Sequence, residues 1–325
     1  MRRRALIGAL LLAGCRSSAA PADAAGDVAP PREAARADLA RPETPRRDGT
    51  VRPEDYCALL VDSYCAFYLR CGRVEAATPG DCRAYFLETC GSRYQPYYLA
   101  LVKAGLLQLS AAAVTACQGH LGTVACDQQL QDLDGPCAMW IGQQPVGGHC
   151  GIGIDSLVCA PQSSCVVTPT LCGACHPLAA VGDSCSGIEV SCGSNAACLG
   201  GTCRARVAVG GSCDATSPCI VGASCLSGSC VGPTFVGSGE SCDASRRCRY
   251  GASCIGGSCR KQAMLGAACG ADVPCASGRC ASADAGGQTC QALLDADQPC
   301  TQGSDCLSGR CLPAGCDAIP GACFH

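Results

Sequence analysis

The stretch 210–230 reads GGSCDATSPCIVGASCLSGSC, and the stretch 239–259 reads GESCDASRRCRYGASCIGGSC. Both carry four cysteines at one shared spacing: Cys213, Cys219, Cys225 and Cys230, then Cys242, Cys248, Cys254 and Cys259. A fixed cysteine spacing that returns at a regular period is the signature of tandem modules. The chain is therefore organised, over much of its length, by cysteine rather than by a large apolar core.

Six such modules follow one another between residues 147 and 325. Their first cysteines recur every 27 to 35 residues, at Cys150, Cys185, Cys213, Cys242, Cys269 and Cys300. We number them modules 1 to 6 and place them at about 147–175, 182–203, 210–230, 239–259, 266–290 and 296–323. The shared pattern is G-x-x-C, about five residues, C, four or five residues, C and, in most modules, x-x-G-x-C. Modules 1 and 6 have five cysteines each, which leaves pairing across modules open.

Each module is too short to fold by apolar burial alone. Residues 150–325 contain only Phe235, Tyr250 and Phe324 as aromatic residues. Two disulfides per module, at about 2 to 4 kcal/mol each, can replace the missing core. A glycine lies between the cysteines of 225–230, 254–259 and 306–311, where a tight hairpin requires positive φ. We therefore predict a short, irregular β-hairpin bonded to its preceding loop in each module.

The spacing G-x-x-C, C, C, x-x-G-x-C resembles the Dickkopf N-terminal cysteine-rich region, as it occurs in tandem in myxobacterial and related surface lipoproteins. The resemblance covers the repeat region only. It implies exported binding modules and transfers no ligand-binding residue to this chain.

The segment 53–141 is the part of the chain that can build an apolar core. It contains seven of the eight tyrosines and the only tryptophan, Trp140. A helix is predicted to begin near Pro53, which acids follow, and to continue with apolar residues three and four apart until Gly72. A second helix is predicted to begin at Thr78-Pro79-Gly80-Asp81. Further helical runs are expected over 97–109 and 110–117.

Eight cysteines of this segment are expected to form four disulfides. Cys57 and Cys65 are eight residues apart, as are Cys82 and Cys90, so each pair lies on one side of its helix. An antiparallel hairpin can then join Cys57 to Cys90 and Cys65 to Cys82, which resembles twin-cysteine helical hairpins. A competing register joins Cys71 to Cys82 and Cys65 to Cys90, and the first is only slightly favoured. The connectivity of the others stays open: Cys71, Cys117, Cys126 and Cys137.

The predicted fold class is thus a small disulfide-rich protein, with an N-terminal α-helical, disulfide-bonded domain followed by tandem short β-hairpin modules. Such cysteine density is typical of an oxidising, exported compartment.

The N-terminus resembles a bacterial lipoprotein signal. Arg2-Arg3-Arg4 precedes a short apolar run and the lipobox Leu12-Ala13-Gly14-Cys15. The resemblance implies removal of residues 1–14 and acylation of Cys15, which together give a stable membrane anchor. An ordinary secretory signal with an incidental cysteine is the alternative. Residues 15–52 have scarcely any large apolar side chain, so they are expected to form a disordered tether. Arg16 favours the outer membrane or cell surface over the inner membrane.

No catalytic motif stands out. Cys172-Gly173-Ala174-Cys175 lies among the repeats and is interpreted as structural rather than redox-active. The histidines and cysteines do not form a zinc pattern, and the segment around Asp132 and Asp134 lacks most ligands of a calcium loop. We therefore predict neither a metal nor a cofactor. The net charge of -3, without a basic stripe, also argues against a nucleic-acid partner.

These observations favour a non-enzymatic envelope lipoprotein, attached to the membrane through its lipid, whose modules bind a protein or a glycan. A passive structural or protective spacer and a protease inhibitor built on a constrained loop are the alternatives.

Overall fold

The computed structural model describes residues 51–126, 135–151, 157–167, 172–187, 190–282, 286–319 and 322–324. The predicted signal, Cys15 and nearly all of the tether lie outside the described residues, as do Asp132 and Asp134. In the described part of the chain, no helix is both long and apolar enough to cross a membrane. The structure confirms the predicted fold class: a helical part is followed by many two-stranded hairpins, and the chain has 17 disulfides.

Four α-helices form the helical part. They are α1 (Tyr56–Arg70), α2 (Pro79–Thr89), α3 (Gln95–Lys103) and α4 (Ala111–Thr123), with a 3-10 turn at Pro53–Asp55 before α1 and a π-turn at Cys90–Tyr94 before α3. Helix α2 begins after Thr78, as predicted. The Thr78 hydroxyl accepts a hydrogen bond from the Asp81 amide, and the Asp81 carboxylate accepts one from the Thr78 amide. Phe67, Leu60 and Leu121 are buried where α1 packs against α4.

The prediction of one helix across 97–109 was wrong at its C-terminal end. Helix α3 stops at Lys103, and Gly105 follows with φ +73°. Strand β1 (Leu107–Leu109) then pairs with β2 (Trp140–Gly142) in antiparallel register. The apolar residues at 107 and 109 alternate with Gln108 as in a strand, and both are buried.

The disulfides of the helical part follow the first of the two registers considered. Cys57 bonds to Cys90 and Cys65 to Cys82, with Cα atoms 5.8 Å apart in each pair. The remaining cysteines form the pairs Cys71–Cys126 and Cys117–Cys137. Helices α1 and α2 are thus joined at two levels, while the other two bonds attach the segment around α4.

In the described residues, sixteen strands build the modules. They are β3 (His149–Gly151), β4 (Ser163–Val167), β5 (Cys172–Ala179), β6 (Ser191–Cys192), β7 (Ala196–Leu199), β8 (Thr202–Ala205), β9 (Ser224–Leu226), β10 (Ser229–Val231), β11 (Thr234–Val236), β12 (Arg246–Cys248), β13 (Ala252–Ile255), β14 (Ser258–Lys261), β15 (Arg279–Ser282), β16 (Gln288–Gln291), β17 (Cys311–Leu312) and β18 (Gly315–Cys316). One antiparallel hairpin belongs to each module: β4–β5, β7–β8, β9–β10, β13–β14, β15–β16 and β17–β18.

Every module has the same disulfide connectivity when the extra cysteines Cys172 and Cys323 are set aside. The first cysteine bonds to the third and the second to the fourth. The twelve bonds are 150–165 and 159–175, 185–198 and 192–203, 213–225 and 219–230, 242–254 and 248–259, 269–280 and 275–290, and 300–311 and 306–316. Because the third and fourth cysteines lie on opposite strands of the hairpin, both strands are bonded to the preceding loop.

The glycine of G-x-x-C has a specific backbone role. Its amide donates a hydrogen bond of 2.7 to 2.8 Å to the carbonyl of the module's fourth cysteine, at Gly147, Gly182, Gly210, Gly239 and Gly266. All five have φ between +79° and +98°, where residues with a Cβ are strained. In module 6 Asp297 takes the same position, with φ +62° and the same bond to Cys316. The motif therefore specifies a left-handed turn that closes each module.

Each module also includes the segment that precedes it. The residue six positions before the first cysteine pairs in parallel with the second cysteine, in all six modules: Gln144↔Cys159, Ala179↔Cys192, Val207↔Cys219, Val236↔Cys248, Ala263↔Cys275 and Leu294↔Cys306. These backbone pairs make the connecting segments part of the folded array.

One hairpin prediction was wrong. The segment 306–311 carries C-x-x-G-x-C but is not the hairpin of module 6, which is formed by β17 and β18 between Cys311 and Cys316. Pairing of Leu294 with Cys306 makes Cys306 the second cysteine of its module, not the third. Gly309 does have positive φ, +71°, but in a turn before the hairpin. The short motif alone does not decide which pair of cysteines flanks the hairpin.

The extra cysteines close the array of modules into a covalent ring. Cys172 of module 1 bonds to Cys323 of module 6 across a sequence separation of 151 residues. Beside this bond, Phe324 and Ile319 pack against the apolar cluster that includes Tyr97 and Leu101 of α3. The helical part therefore contacts both ends of the array, and the described residues from 51 onwards belong to one compact unit.

Ring closure has a direct chemical test. A recognition sequence for a specific protease is inserted between Gly232 and Pro233, which connect modules 3 and 4. Only the Cys172–Cys323 bond crosses this point. After cleavage, we expect the two parts to stay together in non-reducing denaturing electrophoresis, and to separate in the variant Cys172→Ser/Cys323→Ser. Reduction is the control and should release two fragments from both proteins. Separation of the parent protein without reduction would contradict the ring.

The left-handed turn is tested by a matched pair of glycine substitutions in module 5. A Cβ would meet nothing within 4 Å at Gly266 or at Gly270, but only Gly266 has a positive φ, +79°. Gly266→Ala should lower the free energy of unfolding of the oxidised protein by about 1 to 2 kcal/mol, because the strain is purely conformational. Gly270→Ala should leave it unchanged or slightly higher. Guanidinium denaturation measures both, and equal effects would remove the role assigned to the motif.

Candidate functional site

Module 4 contacts the helical part through Tyr250. The Tyr250 amide donates to the Arg73 carbonyl at 2.7 Å, and its carbonyl accepts from the Glu75 amide at 2.8 Å. Its ring stacks on Phe86 of α2, with centroids 4.5 Å apart and an interplanar angle of 17°. The Tyr85 ring approaches it edge-on at 5.1 Å. Backbone pairing and ring packing together fix module 4 against α2.

A cleft of about 440 Å³ opens beside this contact. We call it the arginine–tyrosine cleft after the residues that line it. Its aromatic walls are formed by Tyr64, Tyr68, Tyr85, Tyr94, Phe235 and Tyr250, and its cations are Arg73, Arg93, Arg247 and Arg249. None of its described lining residues is an aspartate or glutamate. A second cleft of about 220 Å³ shares four of the tyrosines and extends towards Tyr56 and Tyr98.

Two of the cleft arginines, Arg247 and Arg249, belong to module 4. Arg247 and Arg249 flank Cys248, which bonds to Cys259. Strand β12 is paired in parallel with β11, and the Arg249 amide donates to the Val236 carbonyl at 2.9 Å. Residues two apart on an extended strand point to the same side. Arg247 and Arg249 both line the cleft, and the Arg247 guanidinium also donates a hydrogen bond of 3.5 Å to the Gly222 carbonyl of module 3.

Three of the four arginines have no acidic partner. Arg93, Arg247 and Arg249 form no ion pair with any residue in the described ranges. The Nε atom of Arg249 is buried and has no hydrogen-bond partner among those residues. Two acids nearby instead accept backbone hydrogen bonds, Glu75 from the Ser238 amide at 2.9 Å and Glu88 from the Leu265 amide at 2.6 Å. Three arginines of the cleft thus have no ion pair in the described residues, although the carboxylates of Glu75 and Glu240 lie near a guanidinium nitrogen of Arg249 beside Gly237.

Arg73 differs from these three. Its guanidinium lies 4.6 Å from the centroid of the Phe235 ring and 5.5 Å from that of Phe67, and it donates to the Cys126 carbonyl. These contacts make Arg73 a packing residue of the cleft wall.

Burial raises the pKa of four cleft tyrosines, Tyr64, Tyr68, Tyr85 and Tyr250, so these four remain neutral well above physiological pH. Burial raises the pKa of the Tyr64 and Tyr250 phenols strongly, and raises the pKa of Tyr85 to about 12. The hydroxyls of Tyr64, Tyr68 and Tyr250 form no hydrogen bond with the part of the chain that is described. The Tyr85 hydroxyl, in contrast, donates to the Gln262 side-chain oxygen. Several neutral phenols can therefore both donate to and accept from a ligand.

The cysteines have framework roles. Cys172 and Cys175 belong to two different disulfides, with Cys323 and Cys159, so they do not pair with each other as a redox dithiol would. Sulfur atoms that lie close enough together to hold a metal occur within modules, for example at Cys150, Cys159 and Cys175. Each of these three is in a disulfide bond, and metal binding requires the thiolate.

Comparison with known proteins finds nothing similar. No family model matches the chain, and no curated protein or solved structure matches it either.

The cleft is not evident from the sequence, although module 4 carries a signal for it. Around its second cysteine, module 4 reads Arg246-Arg247-Cys248-Arg249-Tyr250, where module 3 reads Ser217-Pro218-Cys219-Ile220-Val221. Two repeats with identical cysteine spacing therefore differ most in charge at the positions that meet the helical part. These positions of module 4 therefore carry a sequence signal for the cleft. The residues of the helical part that complete the cleft lie far away in the sequence.

Alkaline titration tests the burial of the aromatic walls. Each raised pKa favours the neutral phenol in the folded state, so its contribution to stability is complete below the unfolded pKa near 10 and is lost as the pH rises through the folded value. At about pH 11, the oxidised protein should show less tyrosinate absorbance than the reduced, denatured chain. Tyr85→Phe should remove the component that titrates near pH 12. Equal tyrosinate absorbance in both states would show that these rings are not buried.

Proposed function

We propose that this chain is a non-enzymatic protein of the cell envelope, anchored by a lipid on Cys15, and that it binds a protein or glycan partner. The observation that carries the proposal is the arginine–tyrosine cleft, in which unpaired guanidinium groups and aromatic walls are held on a disulfide framework. Its volume lies within the range of small-ligand sites, about 300 to 1,000 Å³. Charged and aromatic side chains at such a site are typical of recognition.

The disulfides support an exported, oxidising location. Three features remain predictions from the sequence. They are a location at the outer membrane or cell surface, the lipid on Cys15 and the Dickkopf-like character of the modules. They agree with each other, since a tether between lipid and ring would hold the cleft away from the bilayer.

Recognition is favoured over a spacer role because the cleft has a cost that a spacer does not need. Positive charges close together repel one another, and a buried donor without a partner reduces stability by about 1 to 3 kcal/mol. A passive spacer would gain nothing from the unpaired Nε of Arg249.

The anchor and the binding role have separate readouts. The full-length protein is compared with Cys15→Ala in a bacterial host, and mass spectrometry of the membrane extract should find acyl groups on Cys15 only in the parent chain. The variant should leave the membrane fraction. Absence of acyl groups from Cys15 of the parent chain would overturn the anchor.

Binding is then measured with the released, oxidised Cys15→Ala protein on purified envelope polysaccharide and protein fractions. We expect saturable binding to one of them, and boiling with reductant should abolish it. A response that never saturates with any fraction would favour the passive spacer.

A further inference from the structure

We propose that the arginine–tyrosine cleft binds an acidic oligosaccharide, with its carboxylates on Arg93, Arg247 and Arg249 and its sugar rings against the tyrosine walls. The proposal rests on the binding role above and names the class of ligand.

The arginines of the cleft favour an anionic ligand. Guanidinium groups bind carboxylates through two parallel hydrogen bonds, and such charge-assisted bonds are about twice as strong as neutral ones. No carboxylate of the described chain pairs with the three arginines, and none lines the cleft. The buried Nε of Arg249 has a donor to offer and no acceptor in the described residues. A ligand carboxylate bound to the guanidinium group would compensate the charge of Arg249.

The tyrosines of the cleft wall favour a ligand whose ring has an apolar face and polar edges. Tyrosine provides a flat apolar surface together with a hydroxyl that both donates and accepts. The hydroxyls of Tyr64, Tyr68 and Tyr250 have no partner in the described part of the chain, so they are available to a ligand. A pyranose presents C–H groups on its faces and hydroxyls around its edge, which matches both features.

Backbone hydrogen bonding argues against an acidic peptide as the ligand. An extended peptide commonly binds by pairing with a free strand edge. Here the Tyr250 amide and carbonyl are bonded to Arg73 and Glu75, and the Arg249 amide is bonded to Val236. Phe235 is already paired with Arg247 in parallel. This wall therefore offers side chains rather than backbone, which suits a sugar better than a peptide.

Titration calorimetry on the oxidised Cys15→Ala protein tests the ligand class with defined probes. The acidic probes are a short oligogalacturonate and a hyaluronan tetrasaccharide. A neutral galacto-oligosaccharide of the same length and a short oligoglutamate are the comparisons. We expect saturable binding of at least one acidic sugar, about ten-fold or more tighter than either comparison. Added salt should weaken it, because the contacts are ionic.

Two cleft variants and one control locate the site. Arg247→Gln and Arg249→Gln should each weaken binding by about ten-fold or more. Arg260→Gln removes the same charge from an exposed position of strand β14, just after module 4 and outside the residues that line the cleft, and should leave the affinity within about two-fold. Disulfide mapping of each variant shows whether the framework is intact.

Several results would overturn the inference. They are equal binding of the oligoglutamate, equal binding of the neutral sugar, an equal loss in Arg260→Gln, or no binding of either acidic sugar. If an envelope fraction still binds saturably while both cleft variants behave like the parent, the ligand assignment fails and the general binding role stands.

Discussion

The crossed disulfide pair within each module is the constraint on which the rest of the structure depends. A module has two or three buried residues other than cysteine at most, as in the small clusters around Ala196 and Val236. Such clusters cannot offset the entropy of ordering a module of this length. The bonds from first to third and second to fourth cysteine attach both hairpin strands to the preceding loop. One of them also joins β12 to β14 through Cys248 and Cys259, while backbone hydrogen bonds pair β12 with β11.

A second level of order comes from contacts that no single module makes. The bond between Cys172 and Cys323 joins the ends of the array, while the helical part supplies the apolar surface that the modules lack. Tyr250 shows how the two combine. It belongs to a module with hardly any core, yet it is largely buried because it packs on Phe86 and Tyr85. The cleft is a consequence of this junction, since seven of its sixteen lining residues come from the helical part and most of the others from module 4.

Much of the framework could be predicted from residue types and spacing. Thr78 before Pro79 and Asp81 marks a helix start for local reasons, and the glycine of G-x-x-C marks a turn that only a residue without Cβ adopts easily. The errors have equally physical causes. Leu107 and Leu109 continue an apolar helical pattern, but their strand character depends on pairing with residues 140–142. Gly309 lies in a motif that resembles a hairpin turn, but the pairing of Leu294 makes Cys306 the second cysteine of module 6.

By itself, the sequence determined the class of the protein: repeated modules, disulfides in place of an apolar core, and a helical part where the aromatic residues are concentrated. These features follow from composition and short-range spacing, because turns, caps and disulfide density are local properties of the chain. Only the tertiary structure decided the ring closure and the arginine–tyrosine cleft. Cys172 and Cys323 are separated by 151 residues, and Arg93 and Arg249 come from different parts of the chain. Spacing within a repeat carries no information about which distant surfaces meet, since that depends on how helices and modules bury their apolar faces together.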